Sequence, residues 1–278
     1  MKKYLLLTFF IVNLFANSQS EQRIITLSPS LNEIVFALGS GKNIVANTQY
    51  CNYPLESKDI PKVGGYASIS LEKILLAKPD LILAQNYDEQ LLKNLKKLNL
   101  NYYSFKTDNL TSIKTTINSV AKLLDKQNEA KILIHDIDKK LNEVSNIVQN
   151  KDILIVISPR TDLSKSIYVT GNNLYFNDII KASGNQNAFK SKTLAQPVVN
   201  VEKIIKMNPD IIILLAPYIH ENNITFNELK KPWKKIPTKA SKSGDIYIID
   251  KEYAGIPSHR VKYFMEDFKD ILLNVRDK

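Results

Sequence analysis

A block of fifteen residues occurs twice in this chain. Ser70-Leu-Glu-Lys-Ile-Leu-Leu-Ala-Lys-Pro-Asp-Leu-Ile-Leu-Ala84 returns as Asn200-Val-Glu-Lys-Ile-Ile-Lys-Met-Asn-Pro-Asp-Ile-Ile-Ile-Leu214, with six positions identical. Most of the others exchange one apolar residue for another. The offset of 130 residues (200 − 70) also relates Arg23-Ile-Ile-Thr-Leu-Ser-Pro-Ser30 to Ile153-Leu-Ile-Val-Ile-Ser-Pro-Arg160. Two segments repeating at one offset predict two similar lobes. A chain of 278 residues can supply two cores of about 100–150 residues each.

Each lobe alternates strand and helix signals, which argues for an α/β chain, two Rossmann-like lobes with parallel sheets. In the first lobe Arg23–Leu27 and Ile44–Ala46 read as strands. The helix between them is capped by Ser30 or Asn32 and stops at Gly39. Ser70 caps a short helix running to Lys78, which Pro79 ends. Leu81–Ala84 is continuously apolar, as a strand buried on both faces must be. A helix over Asp88–Leu98 and a strand over Tyr102–Phe105 follow. In the second lobe strands are expected over Ile153–Ile157, Ile211–Leu215 and Ile246–Ile249. Helices are expected over Asn173–Ala182, Asn200–Met207 and Ser258–Asn274.

From Leu110 to Gln149 there is neither Pro nor Gly. Ile132, Leu133, Ile137, Leu141, Val144 and Val148 fit one helical face. This spacing predicts a helix of about 22–25 residues over Lys126–Gln149, on the order of 35 Å long, as a rigid strut between the lobes. The expected organisation is a leader (1–18), an N-terminal lobe (19–109), a helical linker containing the backbone helix (110–150) and a C-terminal lobe (151–278).

The leader is read from Met1-Lys2-Lys3, the apolar run Tyr4–Phe15 and the small residues Ala16-Asn17-Ser18, a pattern of secretory signal peptides. No cysteine follows the run, so no lipid anchor is expected, and no later run is long and apolar enough to span a bilayer. The net charge of +10 is mostly lysine spread along the chain, and only four arginines occur. Nucleic-acid binding calls for clustered Arg and Lys on one face, which is not seen. One cysteine, Cys51, excludes an internal disulfide framework. Three histidines, eight glycines and the absence of phosphate-loop, Gly-x-Ser-x-Gly and His-Glu-x-x-His motifs argue against an enzyme. A metal-dependent exported enzyme and a periplasmic ligand sensor are the alternatives to a carrier.

The paired lobes, the long intervening helix, Ser-Pro after each first strand and the Glu-Lys-Ile…Pro-Asp block in each half resemble the helical-backbone class of periplasmic substrate-binding proteins of ABC importers. The similarity covers nearly all of the chain after the leader, most specifically Val63-Gly-Gly-Tyr-Ala-Ser-Ile-Ser-Leu-Glu-Lys-Ile-Leu-Leu-Ala-Lys-Pro-Asp-Leu-Ile-Leu83. The resemblance is to the vitamin B12, haem and ferric-siderophore group, with the B12-binding branch nearest in spacing. It implies a periplasmic monomer without an intrinsic cofactor. Such a protein captures a cobalt- or iron-containing chelate between its lobes and delivers it to a permease dimer with its ATPase. In that family an acidic residue on each lobe docks on permease arginines, and the matching positions are Glu72 and Glu202. Each also sits in the first turn of a helix, where the helix dipole alone favours a carboxylate by about 0.3–1 kcal/mol.

Ligands of open α/β lobes bind at the carboxyl ends of the strands. This places Ser28, Tyr50, Tyr53, Tyr66, Gln85 and Tyr87 of the first lobe at the expected cleft. From the second come Arg160, Tyr168, Gln196, Tyr218, His220, Tyr253, His259 and Arg260. Tyrosines offer flat apolar area with one polar tip, suited to a large planar chelate. Arg160 and Arg260 suit an anionic group. The resemblance matches Tyr50 and Tyr66 to corrin-contacting positions, and Gln85 and Gln196 to positions held by tryptophan in B12-binding relatives. Haem-binding relatives place a tyrosine ligand in a Gly-Tyr motif before the same helix. Gly65-Tyr66 lies one residue nearer to Glu72 than that motif, so Tyr66 is a candidate iron ligand. His220 with Tyr253 is a second candidate metal pair.

Overall fold

A computed structural model describes residues 22–66, 68–190 and 196–278. The expected leader lies outside the described residues. The first lobe is built from β1 (Ile24–Thr26), α1 (Pro29–Ala37), β2 (Ile44–Asn47), α2 (Leu71–Leu76), β3 (Leu81–Gln85), α3 (Glu89–Lys97) and β4 (Tyr102–Phe105). Two helices follow, α4 (Leu110–Leu123) and α5 (Gln127–Glu143). The second lobe begins with β5 (Asp152–Ile157), β6 (Ile167–Val169), α6 (Tyr175–Ala182), β7 (Gln186–Asn187) and β8 (Val198–Val199). It continues with α7 (Val201–Met207), β9 (Ile211–Leu215), α8 (Phe226–Trp233), α9 (Lys239–Ser243), β10 (Ile246–Ile249) and α10 (Val261–Arg276).

The 130-residue repeat is structural. At that offset β1 corresponds to part of β5, α2 to α7, and β3 residue for residue to β9. The first sheet is parallel in the order β2-β1-β3-β4. The second contains the same parallel arrangement, β7-β5-β9-β10. It differs in carrying β6 antiparallel to β5, and β8 antiparallel to β6.

The two lobes share one core. Alternate residues of a strand face opposite sides of its sheet. Ile24, Leu81, Leu83, Ile153, Ile155, Ile211 and Ile213 all point into a single buried cluster filled by α1, α4, α5, α6 and α10. Their neighbours Ile25, Ile82 and Ala84 pack outward under α2 and α3. Leu154, Val156, Ile212 and Leu214 pack outward under α7, α8 and α9. Burial on both faces explains the uninterrupted apolar runs in the sequence.

Two expectations are corrected. The backbone helix α5 has 17 residues, ending at Glu143 rather than Gln149, so it spans about 25 Å. Past Val144 the chain turns through Asn146 and Asn150, both in the left-handed conformation that asparagine tolerates without a glycine. Val144 and Val148 still pack against the core, but from turns. The cap of α1 is Ser28, whose hydroxyl accepts from the Leu31 amide at 3.3 Å, with Pro29 as the first helical residue. Asn32 instead lies inside a buried polar network.

Candidate functional site in the inter-lobe cleft

The carboxyl ends of β1, β2, β3 and β4 face those of β5, β9 and β10 across a cleft with two adjoining chambers. One, of about 490 Å³, is lined by Ser28, Ser30, Tyr66, Gln85, Tyr87, Thr107, Leu174, Tyr175, Phe176 and Gln196. The other, of about 550 Å³, is lined by Glu33, Tyr50, Tyr53, Tyr66, Ser158, Tyr218, Glu221, Asp250, Lys251 and Glu252. Tyr66 and Gly255 border both. A larger groove of about 1020 Å³ runs along α4 as far as Asp178 of α6, but it takes no residue from the second sheet's strand ends.

The loop between β2 and α2 brings most of the aromatic surface. Tyr50 and Tyr66 stack with centroids 4.7 Å apart and planes 18° apart. Gly64 and Gly65 permit this approach. Gly64 has φ +128°, and a Cβ on it would run into the Ser68 carbonyl, while one on Gly65 would press on Gln49 and Tyr50. The loop is tied to the first lobe from below. Lys62 Nζ donates to Asn47 Oδ1 at 2.7 Å and to the Ser57 carbonyl at 2.6 Å. Asn32 Nδ2 donates to Ser57 Oγ at 2.7 Å and to the Tyr53 carbonyl at 3.0 Å. Burial pushes the Tyr66 phenol up to about 12, with Tyr87, Cys51, Tyr218 and Tyr50 adding to the shift, so it stays protonated at neutral pH.

The floor of the first chamber is uncharged. Gln85 is buried, and its amide nitrogen shares its hydrogens among Ser28 Oγ (3.2 Å), Ser30 Oγ (3.1 Å) and Thr107 Oγ1 (3.2 Å). The second chamber is acidic. Burial works against ionisation of Asp250, but hydrogen bonds from His220 (2.8 Å) and Lys251 outweigh it and hold its carboxyl below the usual range.

Beneath the second chamber the lobes are joined by a buried ion pair. Arg260 Nη1 donates to Glu33 Oε1 at 2.9 Å and Ser258 Oγ donates to Oε2 at 2.5 Å. The paired side chains are 4% and 3% exposed. Tyr53 covers the guanidinium, 3.6 Å from its ring centroid, and Glu252 lies 3.3 Å away. Burial pushes the Glu33 carboxyl up to about 7 from an ordinary 4.5, and Arg260 and Ser258 restrain the rise. A carboxyl raised on folding contributes stability that is full below about 4.5 and lost as the pH rises through about 7. Burial of His259 acts oppositely, since its imidazole, lowered to about 4 from 6.5, loses stability as the pH falls through that interval. The two nearly cancel between pH 4.5 and 6.5, so wild-type stability should be almost level there and fall through about pH 7 by only about 0.4 kcal/mol per pH unit, because Glu33 is half ionised and His259 still opposes it. Urea unfolding of Glu33→Gln should lose this fall and show stability rising with pH up to about 6.5, because His259 is then unopposed. A slope identical to wild type would mean that Glu33 titrates alike in the folded and unfolded chains.

The structure gathers Ser28, Tyr50, Tyr53, Tyr66, Gln85, Tyr87, Gln196 and Tyr218 at the two chambers. Arg260 is consumed by Glu33 and offers no free charge to a ligand. Tyr253 turns its hydroxyl onto Asp267 of α10 at 2.8 Å. His220 sits at the rim on Asp250, packed near Phe226. The proposed metal pair thus has two different carboxylate partners. Among the described residues no group of three or more His, Cys, Asp and Glu is placed to hold a metal ion. His259 is part-buried beside Lys262 and Arg260, with Nδ1 buried and unbonded, and lines neither chamber. Tyr168 is exposed on β6, and Arg160 lines a side pocket. Glu72 and Glu202 are exposed in the first turns of α2 and α7, under the caps Ser70 and Asn200, each six residues past a cleft residue, Tyr66 or Gln196.

Residue-by-residue reading missed Glu33. Its signal was available: it is the one charge in a helix of apolar and small polar residues, a place where a carboxylate needs a buried partner. Thr107, Tyr175 and Phe176 were missed because nothing in the sequence aims the β4–α4 connection or the start of α6 at the cleft.

Two α/β lobes on a common helical core, with a tyrosine-faced cleft between their strand ends, define a substrate-binding protein of the two-lobed periplasmic type. The chain belongs to the periplasmic binding protein family, whose profile matches residues 24–253. It is 26% identical over 260 residues to the vitamin B12-binding protein of Vibrio vulnificus, covering 92% of each. The crystal structure of periplasmic vitamin B12 binding protein BtuF of Vibrio cholerae matches with a TM-score of 0.78 and 22% identity, over 92% of this chain and 98% of that one. The periplasmic haem binding protein HutB of Vibrio cholerae matches with a TM-score of 0.74 and 18% identity, over 91% and 99%. At these identities the structural matches establish the fold. The family binds substrates and does not transform them, so this chain is a binding protein and not an enzyme. Among the described residues no helix is long and apolar enough to cross a membrane.

Proposed function

We propose that this protein is the periplasmic carrier of an ABC importer, that it holds a corrinoid in the inter-lobe cleft, and that it hands the cargo to a permease dimer with its ATPase. The observation that carries the corrinoid reading is the charge of the cleft. Glu33, Glu221, Asp250 and Glu252 line one chamber; Arg260 offsets Glu33 from beneath and Lys251 is paired with Asp250, which leaves Glu221 and the exposed face of Glu252 as its acceptors. The other chamber offers hydroxyls, amides and aromatic rings, and its Asp108 is paired with Lys106 at 3.0 Å. A corrin is rimmed by carboxamides, whose N–H groups suit carboxylate acceptors. Haem carries two propionates, and among the described residues the lining of the two chambers offers no unpaired cation to receive them, Arg160 of an adjoining side pocket apart. The sequence likeness to vitamin B12-binding proteins supports the same choice.

Haem is the second reading, favoured by the position of Tyr66 between the chambers. A ferric siderophore remains the third. Titration of the purified mature protein with cyanocobalamin, haemin and a ferric catecholate separates the three. Cyanocobalamin should bind at one equivalent with micromolar or tighter affinity, and Tyr50→Ala and Tyr66→Ala should each weaken it about tenfold or more through loss of stacked aromatic surface. A tyrosinate-type visible spectrum with haemin that vanishes in Tyr66→Phe, without corrinoid binding, would sink the corrinoid assignment and leave the carrier class standing.

A further inference from the structure

The Ser-Pro repeat does not play the same part in the two lobes. In the first, Ser28 is extended and caps α1, which starts at Pro29. In the second, Ser158 turns into the left-handed region at φ 49°, and no helix follows Pro159. A non-glycine residue held there is strained, and such strain marks a place whose shape is under constraint. Where the first lobe has a helix, the second has a side pocket of about 190 Å³, open to solvent past Arg160 and Asn222. Its floor is apolar, from Ala216, Ile219, Ile224 and Leu229, and Arg160 stands on its wall. Ser158, Pro217 and Tyr218 line both this pocket and the acidic chamber, so the two adjoin.

Arg160 also differs from the other arginines. Arg23 donates to the carbonyls of Ala77 and Lys78, Arg260 to Glu33, and Arg276 to Asp277. Arg160 makes no hydrogen bond or ion pair among the described residues. Asp162 feels its charge, but the Oδ1 of Asp162 is taken by the Ser164 amide and hydroxyl. The pocket is smaller than the roughly 300–1,000 Å³ of a whole small-molecule site. It has room for one arm of a larger ligand.

We infer that this side pocket is a subsite for an aromatic arm of the cargo carrying an anionic group, the ring lying on Ile219, Ile224 and Leu229 and the anion meeting the Arg160 guanidinium. The inference rests on the corrinoid reading and deepens it. A complete cobalamin bears such an arm, an aromatic base linked through a phosphodiester, and cobinamide lacks both.

Calorimetric titration with cyanocobalamin and dicyanocobinamide tests it. Wild type should bind cyanocobalamin at least tenfold more tightly than dicyanocobinamide. Arg160→Gln should remove most of that difference by weakening cyanocobalamin alone. Asn222→Trp, which closes the pocket from an exposed position, should do the same. Equal wild-type affinity for the two corrinoids, or equal weakening of both by Arg160→Gln, overturns the subsite while leaving the corrinoid carrier intact. If neither corrinoid binds, the cargo reading fails and the arm assignment falls with it.

Discussion

Replacing Arg260 by alanine should destabilise the protein by about 3–5 kcal/mol at pH 7.5, with a fall in Tm on the order of 10 °C. The size follows from what the substitution leaves behind. Glu33 is buried in the core-facing helix α1, and Arg260 and Ser258 are the donors to its carboxylate. Removing one partner of a buried pair strands the other, at a cost well above the net worth of the pair. Tyr53 loses its guanidinium platform at the same time, so ligand affinity should fall with stability. The loss should shrink at pH 5, where the Glu33 carboxyl is protonated in both proteins. The double variant Glu33→Met, Arg260→Met should recover much of the stability, because matched apolar replacement removes both desolvation penalties. Thermal unfolding of the three proteins at the two pH values is sufficient. A Tm for Arg260→Ala within two degrees of wild type would mean that Glu33 is satisfied in some other way.

The largest functional effect should come from residues that touch neither cargo nor core. Glu72→Ala with Glu202→Ala should abolish uptake in cells while leaving the Kd for cargo and the Tm unchanged. Both carboxylates are exposed, and each lies in the first turn of the repeated helix of its lobe. Loss of the helix-dipole contribution is no more than about 1 kcal/mol each, too little to unfold the lobes. If the two glutamates dock on permease arginines as the family resemblance implies, charge reversal to lysine should be more severe than alanine, since like charges would then repel. Uptake of labelled cargo, paired with pull-down of the permease, measures both. Normal uptake by the double alanine variant would remove these two glutamates from docking.

The elements that were legible in the sequence share a physical reason. β9 was bounded to the residue by its continuous burial, β10 by its unbroken run of strand-forming residues, and the cap Ser70 was identified by its chemistry, because all three are local signals. β6, β7 and β8 are two or three residues long and carry no periodicity to read. α8 was hidden by Pro232, which reads as a breaker, although Thr225 and Glu228 form a capping box at its start. The end of α5 was misplaced because Asn146 turned the chain without glycine or proline. Among the site residues, the tyrosines were visible as a class, and the strand-end rule placed Tyr50, Tyr53, Tyr66, Tyr87 and Tyr218 at the chambers but misplaced Tyr168 and Tyr253. The arginines were not separable in this way. Arg160 and Arg260 follow the same kind of loop, and only the fold reveals that the second meets a carboxylate 227 positions earlier in the chain. A charge partner so distant in sequence leaves no local trace.

The apolar cluster that runs unbroken from one sheet to the other has a kinetic meaning. Spreading the lobes would expose Ile24, Ile153 and the helices packed between them, so opening draws on the same free energy as unfolding. The gap is then set before any cargo arrives. Association should be a single encounter step without a lag for closure, and cargoes should differ chiefly in how fast they leave. On the proposed carrier reading, cargo is held by residence time, and its release at the membrane would require the permease to work against the carrier's own interior.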